Sequence, residues 1–281
     1  MAQNSPPAAR PRRVTRLQVV RTEQLTPHMV RVVAGGPGFA DFADNEFTDS
    51  YVKLLFLHPE ARYPEPLDIA EVRATMPREH WPITRTYTVR YVDTAAGEIA
   101  LDFVIHGDEG VAAPWAAAAE PGDDIRFFGP GGAYSPSPDA DWHLLAGDEA
   151  ALPAIATALE AMPAGVPVRV VVEVGDESEE QPLVTKANVD VTWLHRDGRP
   201  AGAPDHLVEA IKDVPWRPGR AHVFVHGEAG LVKGLRRYFL QDRGVPRELL
   251  SLSGYWRAGL VEDDFQAWKK SERERGSDAV L

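Results

Sequence analysis

The stretch TRTYTVRYVD (residues 84–93) has an alternation of Arg, Tyr, Thr and Val that favours a β-strand. Side chains on a strand point alternately to its two faces, so we expect Arg85 and Tyr87 on one face and Thr86 and Thr88 on the other. A flat aromatic cofactor with a diphosphate tail needs an aromatic side chain against its ring, hydroxyl or backbone groups at its edge, and a cation near its phosphates. Arg-x-Tyr-Thr supplies all three, although a solvent-exposed barrel strand fits the same pattern.

Five further strand patterns surround this one, with turn residues between them. Thr94-Ala95-Ala96-Gly97 is typical of a hairpin and links the strand above to the next one. Six short strands within residues 14–135 predict a closed antiparallel barrel or a sandwich. The other five strands are predicted at VTRLQVVRTEQL, HMVRVVAGG, SYVKLLFLHP, EIALDFVIHG and DDIRFFGPGG.

The second half of the chain alternates strands with helices. The segment VPVRVVVEVGD (residues 166–176) has apolar residues on both strand faces, as a parallel sheet covered by helices requires. The order of strand, helix, strand, helix predicts an α/β domain with right-handed crossovers. Further strands are predicted in WHLLAG, VDVTWLHRDG and AHVFVHGEAG, and helices in EAALPAIATALEAM and in GLVKGLRRYFLQDRGV, which ends at Gly244.

We therefore predict a six-stranded antiparallel β-barrel domain followed by a parallel-sheet α/β domain. The boundary is expected in GPGGAYSPSPDADW (residues 129–142), where glycine, proline and serine cluster. The predicted divisions are a flexible tail at 1–13, the barrel at 14–135, the α/β domain at 142–258, and a C-terminal helix and tail at 259–281.

The composition excludes several classes of function. The 281 residues have a formal net charge of −12 and no basic face interleaved with aromatic residues, so nucleic acid is not an expected partner. The absence of cysteine excludes disulfides, thiolate nucleophiles, Fe–S clusters and cysteine-based zinc sites, so any redox chemistry must use an organic cofactor. No apolar run approaches the roughly 18 residues of a membrane span, and we expect a cytoplasmic protein.

The histidines do not predict a metal site, and no motif predicts a hydrolase. His222 and His226 would share a strand face in HVFVH, but four residues of strand separate them by roughly 13 Å. The chain has no Gly-x-Ser-x-Gly nucleophile motif. We therefore expect no bound metal.

A second motif, HGDEGVAAPWAAAAEPGD (residues 106–123), predicts a short helix between Gly110 and Pro121-Gly122. Pro114 suits the first helical position. Small residues at a helix start leave backbone N–H groups accessible, and these groups suit a pyrophosphate. A surface connector fits the same residues.

Two later motifs extend this pattern. LLAGDEAALPAI (residues 144–155) predicts a strand that ends in glycine and turns into a helix, as at the cofactor edge of an open α/β sheet. The segment lacks the Gly-x-Gly-x-x-Gly dinucleotide motif, and a plain strand–helix turn also fits it. SGYWRAG (residues 253–259) places Tyr255, Trp256 and Arg257 in succession. These residues suit either a buried clamp within their own domain or an aromatic and cationic cap on a planar ligand.

Taken in order, RTYT, DFVIHG, GVAAPWAAAAEPGD, AGDEAALPAI and SGYWRAG resemble the siderophore-interacting protein family. These are FAD-binding ferric-siderophore reductases of the ferredoxin-reductase-like superfold, and the resemblance runs from about Arg13 to Trp268. It implies an FAD-binding barrel and an NAD(P)H-binding domain. Electrons would pass from NADH or NADPH through FAD to the Fe(III) of a ferric siderophore, releasing Fe(II) in the cytoplasm.

The resemblance also implies which residues contact the cofactors, while the flavin itself carries the chemistry. One departure is Gly-Val-Ala-Ala-Pro, where relatives often have Gly-Pro-Ala-Ser, so the resemblance does not imply a serine contact to the diphosphate here. The implied sets are Arg85, Thr86, Tyr87 and Thr88 at the isoalloxazine and phosphates; Asp102, Val104 and His106 at the adenosine and ribityl side; Gly110, Ala113, Trp115 and Ala116 at the pyrophosphate turn; Gly147, Asp148 and Glu149 at the nicotinamide site; and Trp256 and Arg257 as a cover over the flavin.

Many ferric siderophores are anionic, so their binding site needs cations. We expect Lys53 and Arg257 to supply them, with Lys269 as a weaker candidate, because an isolated lysine on an acidic protein is often merely solvated. The electron donor is open. Glu173 lies where an acid in related folds bonds a ribose hydroxyl, which favours NADH, whereas Arg196 would suit the extra phosphate of NADPH.

Two other functions fit the same sequence. One is a flavin-binding protein that carries or senses a siderophore without turnover. The other is a general NAD(P)H:flavin reductase or an electron-transfer module that serves a protein partner. In each case we expect a monomer, and the identity of the siderophore is not encoded in a recognisable motif.

Overall fold

The computed structural model of the chain describes residues 13–106, 110–260 and 262–274. These residues form a closed six-stranded barrel and a separate five-stranded sheet. The predicted fold class is confirmed. The predicted tail at residues 1–13 lies almost entirely outside the described residues, as does the end of the chain from residue 275.

The barrel contains the six predicted strands, and all of its strand pairs are antiparallel. They close in the order β1-β2-β5-β4-β3-β6, so that β2 pairs with β5 rather than with β3. The strands are β1 (Thr15–Thr26), β2 (Met29–Gly35), β3 (Tyr51–Phe56), β4 (Ile83–Asp93), β5 (Glu98–Val104) and β6 (Asp124–Gly131), with helix α1 (Ile69–Thr75) between β3 and β4 and helix α2 (Ala112–Ala118) between β5 and β6.

The barrel core follows from the alternation of side chains along each strand. On β1, Leu17 and Val19 are buried while Arg16 and Gln18 are exposed. Burying a large aliphatic or aromatic side chain of this kind contributes about 1.5–3 kcal/mol. The same cluster includes Val32, Val52, Leu54, Ile99, Leu101, Phe103 and Phe127, with Ala112 and Ala116 of α2.

The second sheet is parallel and has the order β11-β10-β7-β8-β9. Helices cover it, as the α/β pattern predicts. Its strands are β7 (Trp142–Gly147), β8 (Pro167–Val174), β9 (Asn188–His195), β10 (Ala221–Glu228) and β11 (Leu250–Trp256); the helices are α3 (Leu152–Ala161), α4 (Pro204–Asp213), α5 (Ala229–Arg237) and α6 (Glu262–Glu274).

Burial within this sheet depends on strand position. Every residue of the inner strands β7 and β10 is buried, whereas the edge strand β9 alternates between exposed and half-buried residues. Strand β11 was not predicted, because LSLSGYW contains two serines and a glycine and has only a weak strand pattern; its pairing with β10 stabilises it. Helix α5 ends at Arg237 and continues as a π-helical turn, Tyr238–Asp242, before Gly244.

The two sheets contact each other through the segment that joins them. Asp49 accepts hydrogen bonds from the backbone N–H groups of Ala133 and Tyr134, each at 2.8 Å. The buried Tyr134 ring lies 4.7 Å from the Phe224 ring of the parallel sheet. Arg90 of β4 makes a bidentate ion pair with Glu160 of α3. These contacts pack the barrel against the α/β half, with β4 lying against α3.

Within the described residues, no helix combines the length and apolar character needed to cross a membrane.

Candidate functional site

Strand β4 presents the predicted residues on two faces. Arg85 and Tyr87 lie opposite Leu54 and Val52 of β3, and both are half-buried. The Tyr87 ring centroid is 4.2 Å from that of Phe103 on β5. The Arg85 Nη1 atom donates to the carbonyl of Thr84 at 2.8 Å. The predicted alternation of this strand is therefore observed.

On the other face of β4, the side chains change from exposed to buried along the strand. Thr86 is exposed and lies opposite Lys53, while Thr88 is buried and lies opposite Tyr51. A hydrogen bond joins the Thr88 hydroxyl to the phenol of Tyr255 on β11. The strand that carries the Arg-x-Tyr-Thr pattern thus contacts the C-terminal motif directly.

Tyr255 was named from the sequence as part of SGYWRAG, but it was not among the residues expected to contact a cofactor. Its ring packs edge-on against His226 with centroids 5.0 Å apart. Burial, together with the carboxylates of Asp49 and Asp148, raises the pKa of Tyr255 above its ordinary value, so the phenol stays protonated. It can therefore donate a hydrogen bond at this position.

The predicted pyrophosphate turn lies beside the same aromatic cluster. Helix α2 begins at Ala112 rather than at Pro114, which occupies its first turn, where no N–H is required. Ala113 and Ala116 are buried, and the Trp115 ring packs 5.7 Å from Phe103. Gly110 has a φ of +80°, which favours glycine.

The three residues proposed for the adenosine side of the cofactor differ in their surroundings. Val104 is half-buried at the end of β5, and His106 is exposed just before residues 107–109, which the structure does not describe. Asp102 is buried and makes a bidentate ion pair with Arg31 of β2, at 2.7 and 2.8 Å. The pair lines a cavity of about 210 Å³ against α3. A cofactor contact of Asp102 stays a prediction.

Gly147, Asp148 and Glu149 form the turn between β7 and α3. A side chain at Gly147 would clash with the carbonyl of His226, so glycine is required there. The Asp148 carboxylate is 4% exposed and accepts backbone hydrogen bonds from Ala150 and Glu228. Burial raises the pKa of Asp148 to about 6.

The predicted cover residues lie at the end of β11. The Trp256 Nε1 atom donates to Asp148 Oδ2 at 2.8 Å. The guanidinium of Arg257 lies over the Trp268 ring of α6, 4.3 Å from its centroid. The Trp256–Asp148 hydrogen bond therefore joins the C-terminal motif to the β7–α3 turn.

The two lysines proposed to contact the substrate differ in whether the ammonium group already has a partner in the protein. The Lys269 Nζ atom donates to the carbonyl of Gly254 at 3.0 Å and lies 5.2 Å from the Phe265 ring centroid. The hydrogen bond of Lys269 therefore links α6 to β11. Lys53 is half-buried, and among the described residues its side-chain ammonium has no hydrogen-bond or ion-pair partner.

Three buried histidines of the parallel sheet lie on the face that also carries Phe224 and Tyr255. Burial lowers the pKa of His143 and of His222 to about 4, and that of His226 to about 3. His222 Nδ1 accepts a hydrogen bond from the Ser137 N–H at 3.0 Å. No group of three potential metal ligands occurs among the residues that the structure describes.

Charged residues meet at the carboxyl end of β8. Arg196, just after β9, makes a bidentate ion pair with Glu149, at 2.8 and 2.5 Å. Glu173 is 5% exposed, and its burial raises its pKa to about 7. This cluster lies at the edge where open α/β sheets bind their ligands.

The residues on β4 suit a flavin dinucleotide. Tyr87 offers an aromatic face, Thr88 a hydroxyl and Arg85 a half-buried guanidinium, all on one strand that meets the carboxyl edge of the parallel sheet. A planar ring held there would contact both halves of the molecule. The donor set is therefore consistent with FAD.

Relatives of the chain are found along nearly its whole length. An uncharacterised protein of Mycobacterium tuberculosis is 48% identical over 92% of this chain and 96% of its own. The ferric vibriobactin reductase ViuB of Vibrio cholerae is 30% identical over 89% of this chain and 91% of its own. An NADPH-dependent ferric-chelate reductase of Escherichia coli is 30% identical over 88% of this chain and 94% of its own.

A solved structure and two family models agree with these relatives. A siderophore utilization protein from T. fusca superposes with a TM-score of 0.77 at 37% identity, covering 89% of this chain and 95% of that one. Residues 18–134 match the siderophore-interacting FAD-binding domain, and residues 140–259 match the siderophore-interacting protein model. The chain therefore belongs to the siderophore-interacting protein family.

Proposed function

We propose that this protein is a flavin-dependent ferric-siderophore reductase that takes electrons from a nicotinamide dinucleotide. The observation that carries the proposal is the contact between β4 and β11, where Thr88 bonds Tyr255 beside Trp256 and Asp148. This contact supports the proposal because it joins the strand proposed to bind the flavin to the sheet edge proposed to bind the nicotinamide. The ferric reductase relatives from Vibrio cholerae and Escherichia coli support the same reaction class.

The residues of β4 would hold FAD by distinct interactions. When bound, FAD would accept a hydride and pass electrons singly to iron, a conversion that belongs to the cofactor. Tyr87, already against Phe103, would pack on the ring, and Arg85 would make charge-assisted hydrogen bonds to the diphosphate. The hydroxyls of Thr88 and Tyr255 would offer hydrogen bonds at the ring edge.

The start of the turn between β7 and α3, at Gly147 and Asp148, would face the nicotinamide, whereas Glu149 at its end pairs with Arg196 beyond β8. Gly147 allows β10 to pack closely at this turn, because a side chain there would meet the His226 carbonyl. Asp148 accepts three hydrogen bonds from the protein and holds the indole of Trp256 in place. Asp148 is therefore proposed to orient the cover residue rather than to transfer a proton.

A ferric siderophore would enter at the exposed side of β4. Lys53 lies beside the exposed Thr86 and is available to an anionic ligand, as is Arg257 at the end of β11. A local cationic entrance matters because the chain as a whole carries a charge of −12. Fe(II) binds hard oxygen ligands less tightly than Fe(III), so reduction would release the iron. The predicted cytoplasmic location, monomeric state and domain boundaries stay predictions.

An anaerobic spectroscopic titration tests this proposal. Purified protein loaded with FAD is mixed with NADH or NADPH, then with a ferric siderophore and a ferrous chelator. We expect the flavin absorbance to bleach with the donor, and to recover as the ferrous chelate forms over many turnovers.

Three results would overturn it. Failure to bind FAD would remove the cofactor, and a single flavin reduction without turnover would indicate a carrier or sensor. Faster reduction of added free riboflavin than of any ferric siderophore would indicate a general flavin reductase.

A further inference from the structure

Four elements bring charged residues together at the carboxyl end of β8. Glu149 follows β7, Glu173 lies in β8, Arg196 follows β9, and His206 lies in α4. The His206 Nδ1 atom is 3.7 Å from Glu173 Oε2, and the Arg196 Nη1 atom is 3.7 Å from Glu173 Oε1. In open α/β sheets this edge holds the adenosine ribose of a dinucleotide.

The cation of this cluster is already paired. The two terminal nitrogens of Arg196 donate to the two carboxylate oxygens of Glu149 in the bidentate geometry that is strongest for this pair of groups. Both side chains are 14% exposed, so water screens the pair only weakly. Arg196 is therefore held away from any incoming phosphate.

The balance of charge at this edge is negative. Asp148, Glu149 and Glu173 are three carboxyl groups around one guanidinium, and all four side chains are shielded from solvent. A ribose with free 2′- and 3′-hydroxyls can donate hydrogen bonds to a carboxylate. A 2′-phosphate would bring nearly two further negative charges to the same place.

We propose that Glu149 sets the electron-donor preference: by pairing with Arg196 it withholds the guanidinium from a 2′-phosphate, and with Glu173 it makes the protein select NADH over NADPH. The inference rests on the proposed function, in which the α/β half binds a nicotinamide dinucleotide. The Escherichia coli relative is named for NADPH. Donor preference must therefore be measured on this chain rather than transferred from it.

Equilibrium binding of adenosine fragments tests the inference without turnover. The FAD-loaded protein is titrated calorimetrically with 5′-AMP and with 2′,5′-ADP, which differ only in the 2′-phosphate. We expect the wild type to bind 5′-AMP at least about tenfold more tightly. In Glu149→Gln, Arg196 is released, and the affinity for 2′,5′-ADP should rise about tenfold relative to that for 5′-AMP.

Two further variants exclude a general electrostatic effect. Arg196→Met added to Glu149→Gln should abolish the gain for 2′,5′-ADP, because the released cation is its source. Glu160→Gln breaks a comparable bidentate pair, between α3 and Arg90 of the barrel strand β4, and removes the same charge. The 5′-AMP to 2′,5′-ADP ratio should stay unchanged in Glu160→Gln.

The ratio of kcat/KM for NADH to that for NADPH provides a second measurement. We expect a wild-type ratio above about ten, which falls in Glu149→Gln. A wild type that prefers 2′,5′-ADP and NADPH, or an unchanged ratio in Glu149→Gln, would overturn the inference and leave the reductase proposal intact. If neither fragment binds and neither donor reduces the flavin, both the proposed function and this inference are wrong.

Discussion

The indole Nε1 of Trp256 donates a hydrogen bond to the Asp148 carboxylate at 2.8 Å, across 108 residues of sequence. Trp256 ends β11, and Asp148 follows β7, with β10 between these two strands. The same carboxylate oxygen accepts the N–H of Glu228 at the end of β10. One buried carboxylate therefore ties together the carboxyl ends of three neighbouring strands at the candidate nicotinamide edge.

Replacing Trp256 by Phe should raise the pKa of Asp148 further above about 6. The indole N–H stabilises the ionised carboxylate, and the phenyl ring keeps the aromatic face but removes the donor. Carbon-13 NMR of aspartate-labelled protein across a pH series measures this pKa. At each pH, the resonance of Asp190 on the edge strand β9 should be the same in Trp256→Phe as in the wild type, which provides the control. An unchanged Asp148 titration would contradict the role assigned to the bond.

Arg85→Ala should weaken FAD binding by about ten- to a hundredfold, because hydrogen bonds to charged groups contribute about 1.5–3 kcal/mol. Quenching of flavin fluorescence during titration measures the affinity. Arg21→Ala is a matched control, since Arg21 is a barrel arginine whose partners are Glu23 and Glu98. Equal FAD affinity in the wild type and in Arg85→Ala would show that the guanidinium does not face the diphosphate.

Lys53→Gln should raise the KM for an anionic ferric siderophore several-fold at low ionic strength, with little change in kcat. The difference should shrink as salt is added, since added ions screen an exposed charge. Lys269→Gln removes the same charge from a lysine that bonds the Gly254 carbonyl, and we expect it to lower the melting temperature rather than to change KM selectively. A salt-independent effect of Lys53→Gln would count against an electrostatic role.

Glu179→Gln should destabilise the contact between the two halves by about 1–3 kcal/mol. Glu179 is 4% exposed and accepts hydrogen bonds from the Thr26 hydroxyl at 2.5 Å and from the His28 ring at 2.6 Å, both beside the β1–β2 turn. Urea unfolding at neutral pH measures the loss. Glu177→Gln, at an exposed position of the 3-10 turn that also contains Glu179, should leave the unfolding midpoint unchanged. If the two variants are equally stable, the hydrogen bonds of Glu179 do not contribute to the stability of the protein.

The stability of the protein should fall as the pH decreases from about 6.5 towards 4, and His143 should contribute to that fall. Burial lowers the pKa of His143 from 6.5 to about 4, so in this range the unfolded chain binds a proton at His143 that the folded chain does not. The expected contribution is about 1.4 kcal/mol per pH unit.

His143→Leu removes this contribution, and its urea-derived free energy of unfolding should lose correspondingly less per pH unit. The raised pKa values of Asp148 and Glu173 act with the opposite sign, since the folded state binds those protons more tightly than the unfolded state. These two contributions are the same in the wild type and in His143→Leu, so they cancel when the two pH profiles are subtracted. Parallel pH profiles for the two proteins would show that His143 is not the source.

The sequence by itself determined the two-part architecture and the order of the motifs. Alternation in β1 and β4, turn residues such as Thr94-Ala95-Ala96-Gly97, and the Val-rich run of β8 are local signals, because the period of the side chains matches the geometry of each element. The resemblance to the family likewise rests on short motifs. Each of these features can be recognised without knowing which distant residues lie nearby.

Only the tertiary structure decided how those motifs combine. The pairing of β2 with β5, the formation of β11, and the bonds Thr88–Tyr255 and Trp256–Asp148 join residues that are far apart in the chain. The same is true of the Arg196–Glu149 pair, which occupies the cation that the sequence offered to the extra phosphate of NADPH. The periodicity of a sequence predicts which face of a strand or helix a side chain occupies. Which residue that side chain contacts depends on how the folded sheets pack against each other.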